Sequence, residues 1–491
     1  MRVFSLANLT MAALTAAVRK NFCAFKAVLA LSPFAAPSLL ACSKWSKIFA
    51  ALLLSHSLYA DTYKFGSPRQ EPSMPEQALP QEQKKSISRE ELLSNLPLLE
   101  QALQSAILTI NLKAAAYLLP IYEEANGQNP ELLGFARALA FIQNGDLKSC
   151  KIELKKLEHL PSASLLLNSL EVLNMEYISA KAGLAKALSD EDMPPFMQEW
   201  AKSLKEQMDK KQKVDFSLGL GLINDANINN APDKRHYKGW TLNEKEKGQG
   251  FSYNARVSKD TAIMDNVFLR GVLSIQGRYL HKLSSYAYQN YKIDLGPGYE
   301  NSFLSLYLLP TYSRFYYANS LYSKSHGLAL DLKVKLYATV FGLFASRSEQ
   351  RHKKLYSHKN GHKSQIALSV QQSLPHAIRL ALNIEQSKEK TKAADEKWTR
   401  RGLRAVYSQG LGGFFWQAEL GYGLKRYEKL GFFGVIPKIK DLSTLASIWH
   451  KNISYKGFMP RLVAEASKAR SNDPRYLLSK KSIYLEITKE F

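Results

Sequence analysis

Cysteine is scarce in this chain: Cys23, Cys42 and Cys150 are the only three among 491 residues. If the first sixty residues are cut away, one remains, and no disulfide framework can form within the mature protein. Long apolar runs are missing as well. Nothing after residue 61 is long and apolar enough to cross a bilayer as a helix, so any membrane role falls to strands. No glycine-rich phosphate loop follows a strand and opens a helix, which removes the nucleotide-binding folds recognised in that way. Asp331, His281 and several serines are present, yet no spacing sets a nucleophile beside a base. No catalytic residue, cofactor or enzymatic activity is expected. Acids are also under-represented, with 43 Asp and Glu against 67 Lys and Arg, a formal net charge of +24. That surplus suits nucleic acid, anionic lipid or an acidic partner, and charge alone does not choose among them.

What the chain does contain changes character along its length. Residues 1–60 hold Arg2, Arg19, Lys20, Lys26, Lys44 and Lys47 and no acid. Lys44 and Lys47 precede the apolar run Ile48–Leu54, and small residues lead to Ala60 and Asp61. That order reads as a secretory signal with cleavage between Ala60 and Asp61. The stretch Leu39–Cys42 offers a second reading, a lipobox with Cys42 as a lipidated N-terminus. Residues 61–90, polar and proline-rich from Ser67 to Pro80, read as a disordered linker.

From 91 to 211 the chain is rich in Ala, Leu, Glu and Lys. Ser88 with Glu91 forms a capping signal, and Leu96, Leu99, Leu103 and Ile107 follow at helical spacing. Pro130, Pro161 and Pro194 recur at a near-constant interval. Ala138, Phe141, Gly145, Cys150 and Pro161 fall close to the tetratricopeptide register, with a degenerate second copy around Leu170, Leu173, Tyr177 and Ala182. The segment is expected to be a tetratricopeptide-like helical domain with a groove for peptides, and Cys150 a core residue. An irregular helical domain without a ligand is the alternative.

After Lys213 the period switches from 3.6 to 2. Val214, Phe216, Leu218, Leu220 and Leu222 alternate with Asp215, Ser217, Gly219 and Gly221. The same alternation returns at Phe251–Val257, Leu328–Leu336, Ile378–Ile384, Phe414–Tyr422 and Ile483–Ile487, and the chain stops on Phe491. Short connections at 261–265, 300–302, 374–376 and 409–413 alternate with long polar or aromatic stretches at 224–249, 278–287, 313–325, 349–363, 387–398, 424–441 and 469–480. A transmembrane barrel has that asymmetry, and a soluble sandwich has no reason to keep it. The expectation is an α + β membrane protein in which residues 214–491 form a barrel of about fourteen antiparallel strands, each about 9–11 residues long. An even count puts both barrel ends and the helical domain in the periplasm, and Arg and Lys of the polar phase in the lumen. Phe491 is read as the C-terminal barrel signal. Outer-membrane lipids and lipopolysaccharide then account for the basic surface, and no nucleic-acid partner is expected.

One motif stands at the exit of the first strand: Asn224, Asp225, Asn227, Asn229 and Asn230, ahead of Pro232. Its oxygens suit calcium, but with one carboxylate it is better read as a structured loop, since Asn and Asp side chains bond nearby backbone. His352, His358 and His362 crowd one loop with Lys353, Lys354, Lys359 and Lys363, and read as a cationic surface rather than a metal or haem site. The Asn-rich motif at the barrel start, with a signal segment, tetratricopeptide-like helices and a fourteen-strand barrel, resembles the surface lipoprotein assembly modulators (Slam) of Gram-negative bacteria over residues 90–491. The resemblance implies an outer-membrane translocon that delivers lipidated client proteins from the periplasm to the cell surface. Periplasmic chaperones and the barrel-insertion machinery are the further partners it implies. A passive porin or adhesin with a periplasmic protein-binding arm is the alternative.

Overall fold

The computed structural model describes residues 88–108 and 111–490. The expected cleavage site at Ala60–Asp61, most of the linker and Phe491 lie outside the described residues. Eight α-helices are described: α1 (Arg89–Ser94), α2 (Leu96–Leu108), α3 (Leu112–Glu124), α4 (Pro130–Asn144), α5 (Leu147–Lys156), α6 (Pro161–Leu173), α7 (Tyr177–Ser189) and α8 (Pro195–Gln212). The linker expected to reach residue 90 ends sooner, because Ser88 already accepts from the Glu91 amide and starts α1. Local chemistry sets the other ends too. Asn129 caps α4, Pro130 fills its first position, and Gly145 closes it with φ 72°.

The helices fall into two compact units. Residues 88–146 form one, with Leu99, Leu103, Ala115, Leu118, Tyr122, Ala136 and Leu139 as its buried core. The other runs from Leu147 to the end and contains α5–α8 together with every strand. Cys150 is fully buried, as a packing position in the repeat register requires. The degenerate copy is shifted: Ala180 is the buried small residue, and Ala182 is exposed.

Fourteen strands close into an antiparallel barrel: β1 (Asp215–Asp225), β4 (Gly248–Met264), β5 (Val267–His281), β6 (Tyr288–Glu300), β7 (Leu304–Tyr317), β8 (Ser320–Leu336), β9 (Thr339–His352), β10 (Gly361–Leu374), β11 (Ile378–Thr391), β12 (Trp398–Leu411), β13 (Phe414–Tyr427), β14 (Lys438–His450), β15 (Phe458–Ser471) and β16 (Leu478–Glu490). A small hairpin, β2 (His236–Tyr237) with β3 (Trp240–Thr241), sits in the loop after β1. Each barrel strand pairs with its neighbour and β1 pairs with β16, so the ladder closes on itself.

The strands are longer than a bilayer crossing needs, 11 to 17 residues rather than 9–11. Their extra length absorbs much of the expected long loops. The stretch 313–325, expected to be a loop, is two strands joined by Ala318 and Asn319, both at positive φ. Past the lipid both faces of a strand meet water, so the hydropathic alternation fades while the hydrogen-bonded ladder continues. The turn at Ala318 and Asn319 lies at the far end; the turns at the helix-side end are 265–266, 301–303, 337–338, 375–377, 412–413 and 451–457.

Two phases run round the cylinder. On β5, Leu269, Leu273 and Tyr279 point outward and are exposed, so Arg270, Ser274 and Gln276 point inward. The outward set continues through Leu295, Leu308, Leu328, Leu368, Leu420 and Leu462. Exposed aromatics flank that band, Tyr299, Tyr337, Phe414 and Trp416 near the helix-side turns and Phe251, Tyr279 and Tyr422 toward the far end. A leucine belt between aromatic rings is the outer surface of a membrane barrel.

Candidate functional site

The inward phase is lined with paired charges. Arg270 donates to Asp260 at 2.7 and 2.6 Å, and Lys333 stands 3.2 Å from Asp331. Arg400 bridges Glu385 and Asp441, the latter at 2.8 Å. Lys292 meets Asp294 at 2.8 Å, Arg404 meets Glu419 at 3.2 Å, and Arg461 meets Glu486 at 3.7 Å. Nearly all of these pairs join neighbouring strands or residues two apart on one strand. Register therefore creates them, and the period-2 pattern anticipates only that the cations point inward.

At the helix-side end the lumen phase turns apolar. Phe268, Tyr307, Leu309 and Ala329 share one buried cluster with Leu165, Tyr177, Leu184, Leu204 and Met208 of α6–α8. Tyr177 and Phe268 meet edge to face with ring centroids 5.6 Å apart. Tyr307 is fully buried, donates to Glu300 at 2.9 Å, and lies under the Arg270 guanidinium at 3.5 Å. Its ring crosses Gly298, where a Cβ would stand 2.2 Å from the Tyr307 Cδ1, so only glycine fits beneath it.

Polar locks surround this cluster. Glu176, the N-cap of α7, makes no capping bond with its own side chain. Asp265 of the β4–β5 turn does so instead, accepting from the Ile178 amide at 2.9 Å, the Ser179 amide at 3.0 Å and the Ser179 hydroxyl. A carboxylate from the barrel thus caps a helix 86 residues away in sequence. Burial pushes the Asp265 carboxyl up, but the bonds from Ser179 and Ile178 hold it below the usual range. The cap is therefore fully formed above the ordinary carboxylate pKa and lost as pH falls through the lowered one. Asn266, at φ 64°, donates to the Asn174 carbonyl at 2.5 Å and to the Glu300 carbonyl at 3.1 Å. Nothing in the sequence marks Asp265 and Asn266 as more than an ordinary turn pair.

The Asn-rich motif stands at the far end and is built as a knot. Asn227 is 3% exposed; its amide donates to the Ala231 carbonyl at 2.7 Å and its side-chain oxygen accepts from the Ala231 amide at 2.8 Å. Asp225 accepts from the Asn227 amide at 2.8 Å. Asn229 donates to the Glu244 carbonyl at 2.7 Å and accepts from the Glu246 amide at 3.2 Å, tying the two arms of the loop together. Asn230 takes φ 53°, and Asn224 continues β1 opposite Gln249. These side chains are committed to the chain itself, the loop-structuring role. Asn227→Ala takes the side-chain donor from the Ala231 carbonyl and leaves the buried Ala231 amide only the 3.3 Å bond to Asn229, at about 1–3 kcal/mol. Trypsin is then expected to cut at Lys234, Arg235 and Lys238 far faster than in the unaltered protein, and an unchanged digestion rate contradicts that role.

His352, His358 and His362 separate onto the end of β9, a 3-10 turn and β10. The His352 ring stands edge to face with Tyr322 at 5.2 Å. Among the described residues no three His, Cys, Asp or Glu side chains come close enough to hold a metal ion.

Comparison with known proteins agrees with this architecture. Residues 215–491 match the family described as surface lipoprotein assembly modifier, and residues 85–160 match its N-terminal TPR repeats. Surface lipoprotein assembly modifier 1 of Haemophilus influenzae (strain Rd) is 27% identical over 436 residues, covering 83% of this chain and 88% of its own. Surface lipoprotein assembly modifier 2 of the same strain is 27% identical over 435 residues, covering 85% of this chain and 90% of its own. Surface lipoprotein assembly modifier 1 of Neisseria meningitidis serogroup B is 24% identical over 422 residues, covering 82% and 85%. With its barrel matched from first strand to last and helical repeats matched ahead of it, this chain belongs to the surface lipoprotein assembly modifier family.

Proposed function

We propose that this chain is a translocon that delivers lipoproteins from the periplasm to the cell surface. The protein resides in the outer membrane as a multi-pass barrel. Its relatives carry surface lipoprotein assembly in their names, and a barrel with α6–α8 seated on one mouth suits that role. In this reading the helix-side end is periplasmic, the repeats receive a lipidated client, and the charge-lined lumen gives its polar chain a route outward. No chemical step is asked of the protein, and the drive comes from folding and retention of the client outside. Chaperones that keep the client unfolded, and lipopolysaccharide around the basic far end, complete the set of partners.

The observation that carries the reading is the seat of α6–α8 on the barrel mouth, through Asp265, Asn266 and the Tyr307 cluster. A passive pore has no need of a helical arm fixed this firmly to its turns. The test is surface exposure of palmitate-labelled protein in cells that lack the chain, with and without a restored copy.

A further inference from the structure

One ladder of the barrel differs from the rest. Among the described residues β1 and β16 pair over five positions, from Ser217↔Glu490 to Gly221↔Glu486. Every other neighbouring pair of barrel strands is joined over ten to fifteen. The shortfall lies on the far side of Gly221. Leu222–Asp225 pair only with β4, through Asp225↔Gly248, and Leu478–Leu485 pair only with β15. Two strand edges therefore diverge as a fork.

The fork lies at the level of the far aromatic ring. Leu222 stands beside Phe251 in the ladder, and Phe251 beside Tyr279, their rings 5.2 Å apart. Beyond Leu485 the outward side chains at the fork are uncovered, Ile483 73% exposed and Leu222 63%, against 42% for Leu485 beside the last pair and 41% for Leu220 and 40% for Ile487 in the paired part. On the inward side the neighbouring β1 positions are Gly219 and Gly221. A Cβ on Gly221 would stand 2.8 Å from the Ser252 Oγ and 3.5 Å from the Tyr484 ring, so these side chains pack directly over the β1 backbone.

Bonds outside the ladder close the mouth of the fork. Lys480 reaches Asp225 at 2.8 Å. Asp233 donates its amide to the Leu477 carbonyl at 2.7 Å and accepts from the Ser479 hydroxyl at 2.9 Å. The Asn-rich loop, which holds Asp225 and leads into Asp233, is thereby pinned across the seam.

We propose that the β1–β16 seam is a lateral exit through which the acyl chains of a lipidated protein pass from the lumen into the outer leaflet, latched at its outer end by Asp225–Lys480 and Asp233. The proposal rests on the export reading above. A polar lumen is hostile to acyl chains, and a closed wall bars them from lipid. Only a break in the ladder joins the two, and unpaired strand edges in hydrocarbon are costly. The β6–β7 ladder also skips Leu295–Pro297, but pairs on both sides hold that gap shut, whereas the β1–β16 break opens at the strand ends. Unzipping starts at the fork and, among the described residues, meets five pairs, fewer than at any other seam.

The test staples the seam in the full-length chain. Leu220 and Ile487 face each other across it on the lipid side, and adjacent antiparallel positions lie within disulfide reach. The variant Leu220→Cys/Ile487→Cys is compared with Ala255→Cys/Ile275→Cys, the same staple between β4 and β5. The readout is surface-accessible, palmitate-labelled protein on cells treated with a membrane-permeant oxidant and then with a reductant. The expected result is loss of exposure to the level of cells lacking the chain when the seam is oxidised, full recovery on reduction, and no loss with the β4–β5 staple. Undiminished exposure with the seam stapled overturns the lateral exit, as does equal loss with both staples. Exposure as high in cells lacking the chain as in cells containing it overturns the export reading itself.

Discussion

Removing residues 88–146 is expected to abolish surface exposure of lipidated proteins while leaving the barrel folded in the membrane. The segment is a compact unit with its own core of Leu99, Leu103, Leu118, Tyr122 and Leu139. None of the residues that seat helices on the barrel mouth belongs to it: Asn174, Ile178, Ser179, Leu204 and Met208 all lie further along the chain. The truncated barrel therefore keeps its closed ladder and its buried cluster. It is expected to retain the heat-dependent shift in gel migration that marks an intact barrel. Exposure of palmitate-labelled protein falls to that of cells without the chain if this segment receives the client. Full exposure with the segment gone would place client recognition elsewhere.

The second large effect is local. Tyr307→Ala removes a fully buried ring that touches both the barrel and the helices of its unit. It strips the Arg270 guanidinium of its aromatic partner and Glu300 of a 2.9 Å hydrogen bond. Deleting an aromatic side chain from such a core costs about 3–5 kcal/mol. Tyr307→Phe keeps the ring over Gly298 and loses only the hydroxyl, about 1 kcal/mol. Guanidinium unfolding in lipid separates the two. The alanine variant is also expected to free α8, seen as faster tryptic cleavage at Lys210, Lys211 and Lys213. Equal stability of the two variants would mean that the ring does not hold the helices to the barrel.

The barrel is legible in the sequence because lipid demands an apolar residue at every second position, as Leu328–Leu336 and Phe414–Tyr422 display. Strand ends are not, because that demand stops at the membrane surface. The stretch 313–325 reads as a loop for this reason, although Ser313 and Ser325 face each other in the β7–β8 ladder. The Asn-rich motif is legible as a structured loop, since Asn227 and Asn229 act over short spans of chain. The helix-to-barrel seat is hidden, since Asp265 and Asn266 look like any turn and their partners lie 86 to 92 residues away. The lumen ion pairs and the fork between β1 and β16 are hidden for one cause: both follow from register, which side-chain alternation alone does not reveal.

The export reading is tested most directly by protease shaving of intact cells whose lipoproteins carry a palmitate label. With the chain present, labelled protein is expected to be cut from the surface; without it, the same protein stays inside and resists, and a plasmid-borne copy restores cutting. Equal cutting with and without the chain would contradict the reading.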